Sequence, residues 1–302
     1  METTKFIWKN GEMLPWEQAM THVLTHTLHY GAAAFEGVRA YETPKGTAIF
    51  RLQEHTDRLF YSAKVIGMEV PYSKEEINEA TKKVVRENEV EACYIRPIFY
   101  YGYGKMGLNP IGAPIDAVIA CWPWGKYLPV DVVNVKISDF IRIHPKTGVT
   151  DAKISGHYVN SIMACLEIAK DEYFHEALFL DYEGNIAEGP GENFFIVKNG
   201  VIYTPPLGNI LAGITRSSIM EVARDLGYTV EEKVLKPEDA WGADEAFFTG
   251  TAAEVTAIGT LDRKQIADGK MGPITTQIKE TYLKAIRGGL PQYEKWLTYI
   301  NA

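Results

Sequence analysis

Apolar residues along the chain follow two periods, and the pattern predicts a mixture of strands and helices. Short runs of branched and aromatic residues predict β-strands, among them FIWK, ACYIRPIFYY, DAVIACW, DVVNVKIS and DEAFF. Apolar residues spaced three and four apart predict α-helices in EHTDRLFYSAKVIG, in ITRSSIMEVARDLG and from about Ile274 to Ile286. This mixture is typical of an α/β (α+β) fold.

Turn and capping residues divide these elements. Asn10-Gly11 and Asn199-Gly200 each lie between two apolar runs, and this dipeptide predicts a tight β-hairpin. Ser73 is followed three residues later by Glu76, a pair that predicts a capping box at the start of a helix. The turns therefore fix where several strands and helices begin and end.

A stretch rich in Pro and Gly, WPWGKYLPVD from Trp122 to Asp131, predicts a linker between two domains. The predicted division is a first domain at 1–121, a linker at 122–132 and a second domain at 133–302. No internal repeat and no low-complexity tract interrupts this plan.

Composition and charge narrow the class of protein. The chain has 302 residues, of which 46% are hydrophobic and 23% charged, values that are ordinary for a globular protein. A formal net charge of -8 argues against nucleic acid or an anionic membrane as the main partner. Three widely spaced cysteines, without an apolar stretch at the N-terminus, predict a soluble cytoplasmic protein with reduced thiols.

The stretch TDAKISGHYVNSIMACLEIAK, from Thr150 to Lys170, carries the strongest chemical candidate. Its second half is helical by pattern, and Lys153 lies ahead of that helix, separated from it by Gly156. A lysine amine that is shielded from water shifts toward its neutral form, which attacks aldehydes. Tyr158 comes within reach if the chain folds back at the glycine. Lys153 is therefore a candidate nucleophile if the chain also holds a cofactor.

Three stretches could bind a phosphate group. Gly213-Ile214-Thr215 opens a predicted helix, where free N–H groups and the helix dipole attract an anion. Gly250-Thr251-Ala252 offers small residues and a hydroxyl beside the end of a strand, and Arg58 could add a cation. The segment EGPGEN adds two carboxylates, Glu188 and Glu192, around a glycine turn. A phosphate could be held firmly by hydrogen bonds from Gly213-Ile214-Thr215, Gly250-Thr251-Ala252 and Arg58 together.

Other kinds of site lack support. The sequence contains no Walker A motif, no G-x-S-x-G, no H-E-x-x-H, no C-x-x-C and no dinucleotide fingerprint. His22 and His26 are four apart, but no carboxylate or cysteine cluster accompanies them, so no metal site is predicted. A pyridoxal 5'-phosphate site instead needs a reactive lysine, a phosphate-binding site, a tyrosine and a carboxylate.

The ordered motifs resemble the branched-chain-amino-acid aminotransferases, of the fold-type IV pyridoxal-phosphate enzymes. The resemblance runs over nearly the whole chain, through HYGAAAFEGVRAY, EHTDRL, YIRP, PWG, the lysine before a tyrosine-bearing helix, EGPGENFF, LAGITR and FFTGTAAEVT. It implies a small N-terminal α/β domain, a larger C-terminal β-barrel-like domain, and a homodimer or a higher homo-oligomer with shared active sites. The implied reaction moves the amino group of leucine, isoleucine or valine to 2-oxoglutarate.

The resemblance also implies a role for each residue that matches a motif. Lys153 would form the Schiff base, Tyr158 would bond the ring's phenolic oxygen, Glu188 would face the pyridine nitrogen and Leu211 would pack on the ring. The phosphate would be bound by Arg58, Ile214, Thr215 and Thr251. The substrate would meet Tyr30 of the neighbouring subunit, an apolar pocket, two arginines and two backbone N–H groups; the residues implied here are Phe35, Tyr94, Trp124, Tyr127, Arg39, Arg96, Thr251 and Ala252.

Other functions stay open at this point. The same fold serves transaminases that act on D-amino acids or (R)-amines, and YIRP argues against these by resemblance alone. A lyase of this fold, 4-amino-4-deoxychorismate lyase, would need no keto-acid acceptor. A carrier without catalytic activity belongs to another class, and the set of Lys153, Tyr158 and Glu188 argues against it.

Overall fold

The computed structural model describes residues 2–125, 128 and 130–301, and these form two compact units. Unit 1 comprises described residues within 1–125, 152–156 and 284–302. Unit 2 comprises those within 126–151 and 157–283. The short segment that carries Lys153 thus groups with unit 1, although the sequence division placed it in the second domain. The predicted domain boundaries stay a prediction.

Unit 1 is built on an antiparallel sheet with helices packed against it. The strands are β1 (Phe6–Lys9), β2 (Glu12–Pro15), β3 (Ala33–Phe35), β4 (Val38–Tyr41), β5 (Ala48–Phe50), β6 (Cys93–Tyr101), β7 (Ile115–Trp122) and β16 (Leu297–Tyr299). The helices within it are α1 (His26–Tyr30), α2 (Leu52–Val65) and α3 (Lys74–Glu87). Among the described residues the strand order is β16-β5-β4-β6-β7-β1-β2, and β3 pairs with β6.

The core of unit 1 is formed by one face of that sheet and the inner faces of α2 and α3. Leu59 and Ala63 on α2, Ile77 and Val84 on α3, and Ile95 on β6 are fully buried in one cluster. These helix positions recur at spacings of four and seven, so each helix presents one apolar stripe to the sheet. Burial of these side chains fixes the orientation of α2, the helix that carries Arg58.

Unit 2 is built on a mixed sheet. Its strands are β8 (Val132–Ile137), β9 (Glu176–Leu178), β10 (Asn193–Lys198), β11 (Val201–Thr204), β12 (Thr229–Glu232), β13 (Glu245–Gly250), β14 (Glu254–Leu261) and β15 (Lys264–Gln265). Its helices are α4 (Tyr158–Ile168), α5 (Ile214–Asp225) and α6 (Pro237–Trp241); α7 (Pro273–Ile286) begins in this unit. Among the described residues the order is β12-β11-β10-β13-β14-β8-β9, and β15 pairs with β14.

The turn and cap predictions are confirmed. Asn10 and Gly11 both have positive φ between β1 and β2, as do Asn199 and Gly200 between β10 and β11. This geometry is that of the type I′ hairpin turn, which requires φ above zero at both central residues. The Ser73 side chain accepts a hydrogen bond from the Glu76 N–H at 3.1 Å, and Glu76 accepts one from the Ser73 N–H at 2.7 Å.

Helix α4 is confirmed, but its apolar stripe faces outward. Val159, Ile162, Met163 and Leu166 are between 40% and 62% exposed in the chain, whereas small residues such as Ala164 lie inside. An amphipathic helix of a monomeric protein normally turns its apolar stripe toward the core. The periodicity therefore predicted the helix correctly, but its apolar stripe lies on the surface of unit 2.

The lengths and compositions of the helices bear on membrane insertion. None of the helices in the described ranges combines the length and the apolar character that crossing a bilayer would require.

Candidate active site

Lys153 is held in unit 1 by hydrogen bonds to both of its backbone groups. Its N–H donates to the Ser62 hydroxyl at 2.8 Å, and its carbonyl accepts from the Phe35 N–H at 3.1 Å. The next residue, Ile154, forms an antiparallel bridge with Ala34. The half-buried side chain places its Nζ 5.0 Å from the centroid of the Phe35 ring. A lysine in a loop is thus fixed as firmly as a strand residue.

Arg58 forms a buried ion pair behind this segment. Its Nε and Nη2 donate to the two carboxylate oxygens of Glu36 at 2.6 and 2.9 Å, and His55 Nδ1 donates to Glu36 at 2.8 Å. Burial alone raises the pKa of Glu36, but the Arg58 charge and these hydrogen bonds hold it well below its ordinary value. Burial lowers the pKa of His55, so the imidazole is neutral and donates from Nδ1. Glu36 is an ionised carboxylate that orients the guanidinium.

Two other predicted residues of unit 1, Arg96 and Tyr94, contact each other on β6. The Arg96 Nη2 donates to the Tyr94 hydroxyl at 3.1 Å, and the guanidinium lies 5.0 Å from the centroid of the Phe35 ring. The Lys153 amine is equally distant from the same ring, so Phe35 contacts both cationic groups. No carboxylate in the described part of the chain forms an ion pair with Arg96, and its buried Nε has no hydrogen-bond partner there.

Three further residues that were predicted to meet the substrate, Trp124, Arg39 and Tyr30, also belong to unit 1. Trp124 packs against Tyr94 with ring centroids 4.2 Å apart, and its carbonyl accepts from Arg39 Nη2 at 3.4 Å. Tyr30 lies on α1 with 40% of its surface exposed and contacts the rings of two histidines of that helix. Tyr127, a predicted pocket residue, lies outside the described residues.

In unit 2, Glu188 is a buried carboxylate with three donors. Arg142 Nε donates to Oε1 at 2.6 Å, and Asn193 Nδ2 donates to Oε2 at 3.1 Å. The Leu211 N–H lies 3.1 Å from both oxygens. Charge-assisted bonds of this kind are stronger than neutral ones, and together they keep the side chain in one orientation. Leu211, a predicted cofactor contact, therefore meets Glu188 through its backbone.

The start of α5 has the features of an anion site. Gly213 is the N-cap residue, and Ile214 and Thr215 form the first turn, whose N–H groups have no partner within the helix. The Thr215 Oγ1 is buried and has no hydrogen-bond partner among the described residues. A buried hydroxyl without a partner costs about 1–3 kcal/mol, which a bound oxyanion would recover. The residues present here fit a phosphate group.

Glycine is required at the cap because the backbone passes close to Asn193. A Cβ at Gly213 would overlap the Asn193 Oδ1, while the Asn193 Nδ2 donates to the Leu211 carbonyl at 3.0 Å. Asn193 therefore contacts Glu188 and Leu211 and lies against the Gly213 cap. It was not selected from the sequence, although it lies within EGPGENFF and only five positions from Glu188.

Thr251 and Ala252 lie in the turn between β13 and β14, where Gly250 pairs with Glu254. A Cβ at Gly250 would come 3.1 Å from the Gly191 carbonyl, so this turn packs against the EGPGEN segment. Within that segment the Glu192 carboxylate accepts the Gly191 N–H at 3.0 Å.

Tyr158 is the first residue of α4 and is half-buried. The structure thus brings Glu188, Leu211, Thr215 and Thr251 into neighbouring segments of unit 2. It also groups Lys153, Phe35, Arg58 and Arg96 in unit 1.

Four residues that the sequence analysis did not select are part of these two groups. Glu36 and His55 bind or support Arg58, and Arg142 and Asn193 bind Glu188. Glu36 lies within the motif GAAAFEG and His55 within EHTDRL, so the motifs contained the signal. Arg142 lies in a loop without a motif, and nothing in the local pattern distinguishes it from a solvated arginine.

Comparisons with known proteins agree in pointing to one family. Residues 33–261 match the family model described as Amino-transferase class IV. The branched-chain-amino-acid aminotransferase of Pseudomonas aeruginosa is 48% identical over 299 residues, which cover 98% of this chain and 97% of that protein. The enzyme of the same name from Escherichia coli K12 is 41% identical over 308 residues, with 99% of each chain covered.

Solved structures extend this similarity to the whole fold. The T.th. branched-chain amino acid aminotransferase, complexed with N-(5'-phosphopyridoxyl)-L-glutamate, matches with a TM-score of 0.96, 46% identity and complete coverage of both chains. A structure of that enzyme with pyridoxamine 5'-phosphate also matches with a TM-score of 0.96, at 45% identity and complete coverage. The mixed α/β architecture with two sheets is therefore that of the fold-type IV aminotransferases, as the sequence predicted.

Another buried carboxylate of unit 2, Glu176 on β9, lies close to Cys165. Burial raises its pKa from 4.5 to about 7, although a hydrogen bond from the Ala177 N–H at 2.9 Å opposes the shift. Between these two values the unfolded chain loses the proton of Glu176 while the folded chain keeps it. The free energy of unfolding therefore falls as the pH rises through this window.

Glu176→Gln should remove this pH dependence because an amide does not ionise. We expect the variant to unfold at a higher temperature than the parent at pH 8, with an advantage of up to about 3 kcal/mol. The advantage should vanish well below pH 4.5, where both states are protonated. Thermal unfolding of both proteins across this range measures it, with exposed Glu172→Gln as the control. An advantage that is constant with pH would contradict the buried ionisation of Glu176.

Proposed function

From the premise that the chain belongs to the class IV aminotransferases, and within them to the branched-chain-amino-acid aminotransferases, we infer that the two groups of residues serve a single reaction. The enzyme moves the amino group of L-leucine, L-isoleucine or L-valine to 2-oxoglutarate, and it yields branched-chain 2-oxo acids and L-glutamate. The observation that carries the assignment is the match of fold and sequence over the full chain to enzymes of this name.

Pyridoxal 5'-phosphate is the cofactor, and when bound it supplies an electron sink for the carbanion formed at the amino acid's α-carbon. Arg58, the first turn of α5 with the Thr215 hydroxyl, and Thr251 bind its phosphate in this proposal. The buried Thr215 hydroxyl, which has no hydrogen-bond partner within the described ranges, supports that choice. Leu211 packs on the ring, and Tyr158 bonds the phenolic oxygen.

Lys153 would hold the cofactor covalently through its amine, and the same amine, once the incoming amino acid has displaced it, would move the proton of the substrate's α-carbon. General acid–base catalysis requires that such a group be positioned within hydrogen-bond reach of the proton it transfers. The two backbone hydrogen bonds of Lys153 restrict the amine to the short reach of its own side chain. The proton is therefore removed and returned on the side of the substrate that faces Lys153.

Glu188 faces the pyridine nitrogen and keeps it protonated. A carboxylate can do so only while it is ionised, and the guanidinium of Arg142 at 2.6 Å favours the ionised form. The bonds from Asn193 and the Leu211 backbone leave the carboxylate little freedom to rotate away. We propose Arg142 and Asn193 as its supports.

The substrate side chain meets Phe35, Tyr94, Trp124 and Tyr127, and the substrate carboxylate meets the N–H groups of Thr251 and Ala252. Leucine ends in hydrocarbon and 2-oxoglutarate ends in a second carboxylate, so the same pocket must accept both. Burial of an unpaired charge is costly, and a cation at the edge of the pocket resolves the conflict. Arg96 is the first candidate because no described carboxylate neutralises it, and Arg39 is the second.

An exposed apolar patch on unit 1 supports the proposal of a homodimer or a higher homo-oligomer. The segment before and within α1 packs on the β6–β7 loop, where the His22 and Tyr103 ring centroids are 4.3 Å apart. The patch consists of exposed apolar side chains of the two segments, Met20, Val23, Leu24, Leu28, Tyr30, Tyr103, Met106, Leu108 and Ile111. Contiguous exposure of this extent marks an interaction site, and a second copy of the chain is the proposed occupant.

The outward stripe of α4 gives unit 2 an apolar surface of its own. Phe140 and Ile141 are also exposed beside it, where the Asn160 side chain on α4 donates to the Ile141 carbonyl at 3.0 Å. Three free cysteines support the proposal that the enzyme works in the reducing cytoplasm.

The amino group donor decides between the proposed function and its alternatives. L-Leucine, L-isoleucine and L-valine should each bleach the visible absorbance of the cofactor-loaded enzyme, and 2-oxoglutarate should restore it. D-Alanine and (R)-1-phenylethylamine should leave the absorbance unchanged. Lys153→Ala should show no such cycle, although its thermal unfolding should stay close to that of the parent. Bleaching by D-alanine alone would identify a D-amino-acid transaminase, and turnover without a keto-acid acceptor would identify a lyase.

Arg96→Met should separate the two half-reactions because it removes the cation and keeps an aliphatic chain. We expect kcat/KM to fall by about 2–5 kcal/mol for glutamate, with a much smaller effect for leucine. Stopped-flow measurement of both half-reactions provides the comparison, and Arg39→Met tests the second candidate in the same way. Equal losses for the two amino acids would show that Arg96 does not read the second carboxylate.

A complementation experiment tests whether Tyr30 serves the neighbouring subunit. Tyr30→Ala and Lys153→Ala should each have low activity as purified homo-oligomers. Once subunits exchange, a mixed dimer has one site with both wild-type residues, so about a quarter of the parent activity should return. No recovery after verified exchange would place Tyr30 in the site of its own chain.

Leu108→Asp should weaken the oligomer in light scattering, whereas Val234→Asp, at an exposed site outside both patches, should not.

A further inference from the structure

One face of α2 carries three polar side chains that all contact the segments around Lys153. His55, Arg58 and Ser62 are separated by three and four residues, so they lie on the same face of the helix. His55 and Arg58 bind Glu36, which follows Phe35 at the end of β3. Ser62 lies one turn beyond Arg58 and is completely buried.

The Ser62 hydroxyl contacts Lys153 directly. It accepts the Lys153 N–H at 2.8 Å, and the Lys153 carbonyl accepts the N–H of Phe35. Three residues further along, the Gly156 N–H donates to the Gly31 carbonyl at 2.9 Å. The segment is therefore attached to β3 and to the end of α1 through backbone groups, and Ser62 is the side chain of α2 that binds the lysine's backbone.

We propose that Ser62 is a positioning residue that fixes the reactive amine of Lys153 relative to the phosphate-binding Arg58. The two residues are four positions apart on a rigid helix, a separation of about 6 Å along the axis. If α2 moves, Arg58 and the backbone of Lys153 therefore move together. The distance between these two cofactor-binding residues then stays the same. This inference rests on the proposed function, because it assigns both anchors to one cofactor.

A purely structural role for Ser62 predicts a different result. Any buried backbone N–H needs an acceptor, and loss of that acceptor lowers the stability of the folded chain wherever the group lies. A structural role would therefore lower the unfolding temperature and leave the properties of the bound cofactor unchanged. Positioning requires that the lysine amine itself be displaced.

Ser62→Ala tests the proposal, and Thr81→Val is the matched control. Thr81 is a buried residue of α3 in the same unit, and its hydroxyl donates to the Ile77 carbonyl at 2.7 Å without touching Lys153. Ser62→Ala should unfold at lower temperature than the parent in the absence of cofactor because the Lys153 N–H loses its acceptor. Thr81→Val removes a buried hydroxyl without leaving a backbone group unpaired, because the Ile77 carbonyl is also an acceptor within helix α3. Only Ser62→Ala should shift the pH midpoint of the bound cofactor's visible absorbance, weaken pyridoxal 5'-phosphate binding and lower kcat by about tenfold.

Two further measurements isolate the lysine from the rest of the site. Inorganic phosphate should bind to the cofactor-free Ser62→Ala variant as it does to the parent, because Arg58 keeps its bonds to Glu36. Ser62→Thr retains the hydroxyl and should restore the parent's pH midpoint, even if the added methyl group lowers the unfolding temperature.

The proposal is overturned if Ser62→Ala lowers the unfolding temperature while the pH midpoint, the cofactor affinity and kcat stay at the parent values. It is equally overturned if Ser62→Thr fails to restore the midpoint in a folded protein. Failure of the proposed function would be seen separately in the unmodified enzyme, which would then show no lysine-dependent cofactor absorbance or no bleaching of that absorbance by L-leucine, L-isoleucine or L-valine.

Discussion

A carboxylate that is removed from water must be compensated, and this constraint shapes the group of candidate residues within each unit. Glu36 has no exposed surface, and Glu188 has 4% of its surface exposed; each is paired with an arginine and with one further donor side chain. Loss of one partner of a buried pair leaves an uncompensated charge, which costs about 3–5 kcal/mol. The two arginines are therefore fixed by the carboxylates as firmly as the carboxylates are fixed by them.

The two pairs differ in which partner meets the ligand under the proposed function. In unit 1 the arginine approaches the phosphate, and the buried carboxylate is its support. In unit 2 the carboxylate approaches the pyridine nitrogen, and Arg142 is the support. A buried arginine–carboxylate pair thus presents its cation to the ligand in unit 1 and its anion to the ligand in unit 2. Arg96 is the exception, since the described residues offer it aromatic rings and a hydroxyl but no carboxylate. A cation without a counter-ion suits a site that must accept a second carboxylate only part of the time.

Local chemistry made much of the fold predictable from the sequence. The hairpins at Asn10 and Asn199 and the cap at Ser73 depend on residues within three or four positions, so short-range pattern was sufficient. The supports of the site depend instead on contacts such as Glu188 with Arg142, 46 positions apart, and no local pattern identifies such partners. The stripe of α4 shows a second limit, because periodicity gives the face of a helix but not which side of it the protein covers.

Unit 1 is assembled from segments that are far apart along the chain, and this limits the order in which the chain can fold during synthesis. Strand β16 pairs with β5, and the Arg51 N–H donates to the Trp296 carbonyl at 2.6 Å, so residues made long after β1 to β7 complete the sheet that those strands begin. Until they leave the ribosome, β5 is an open edge strand of apolar residues, which is a template for pairing with other chains. Contacts between residues so distant along the chain are slow to form. We therefore expect unit 2, whose residues are nearly continuous, to fold first, with chaperone dependence concentrated in unit 1.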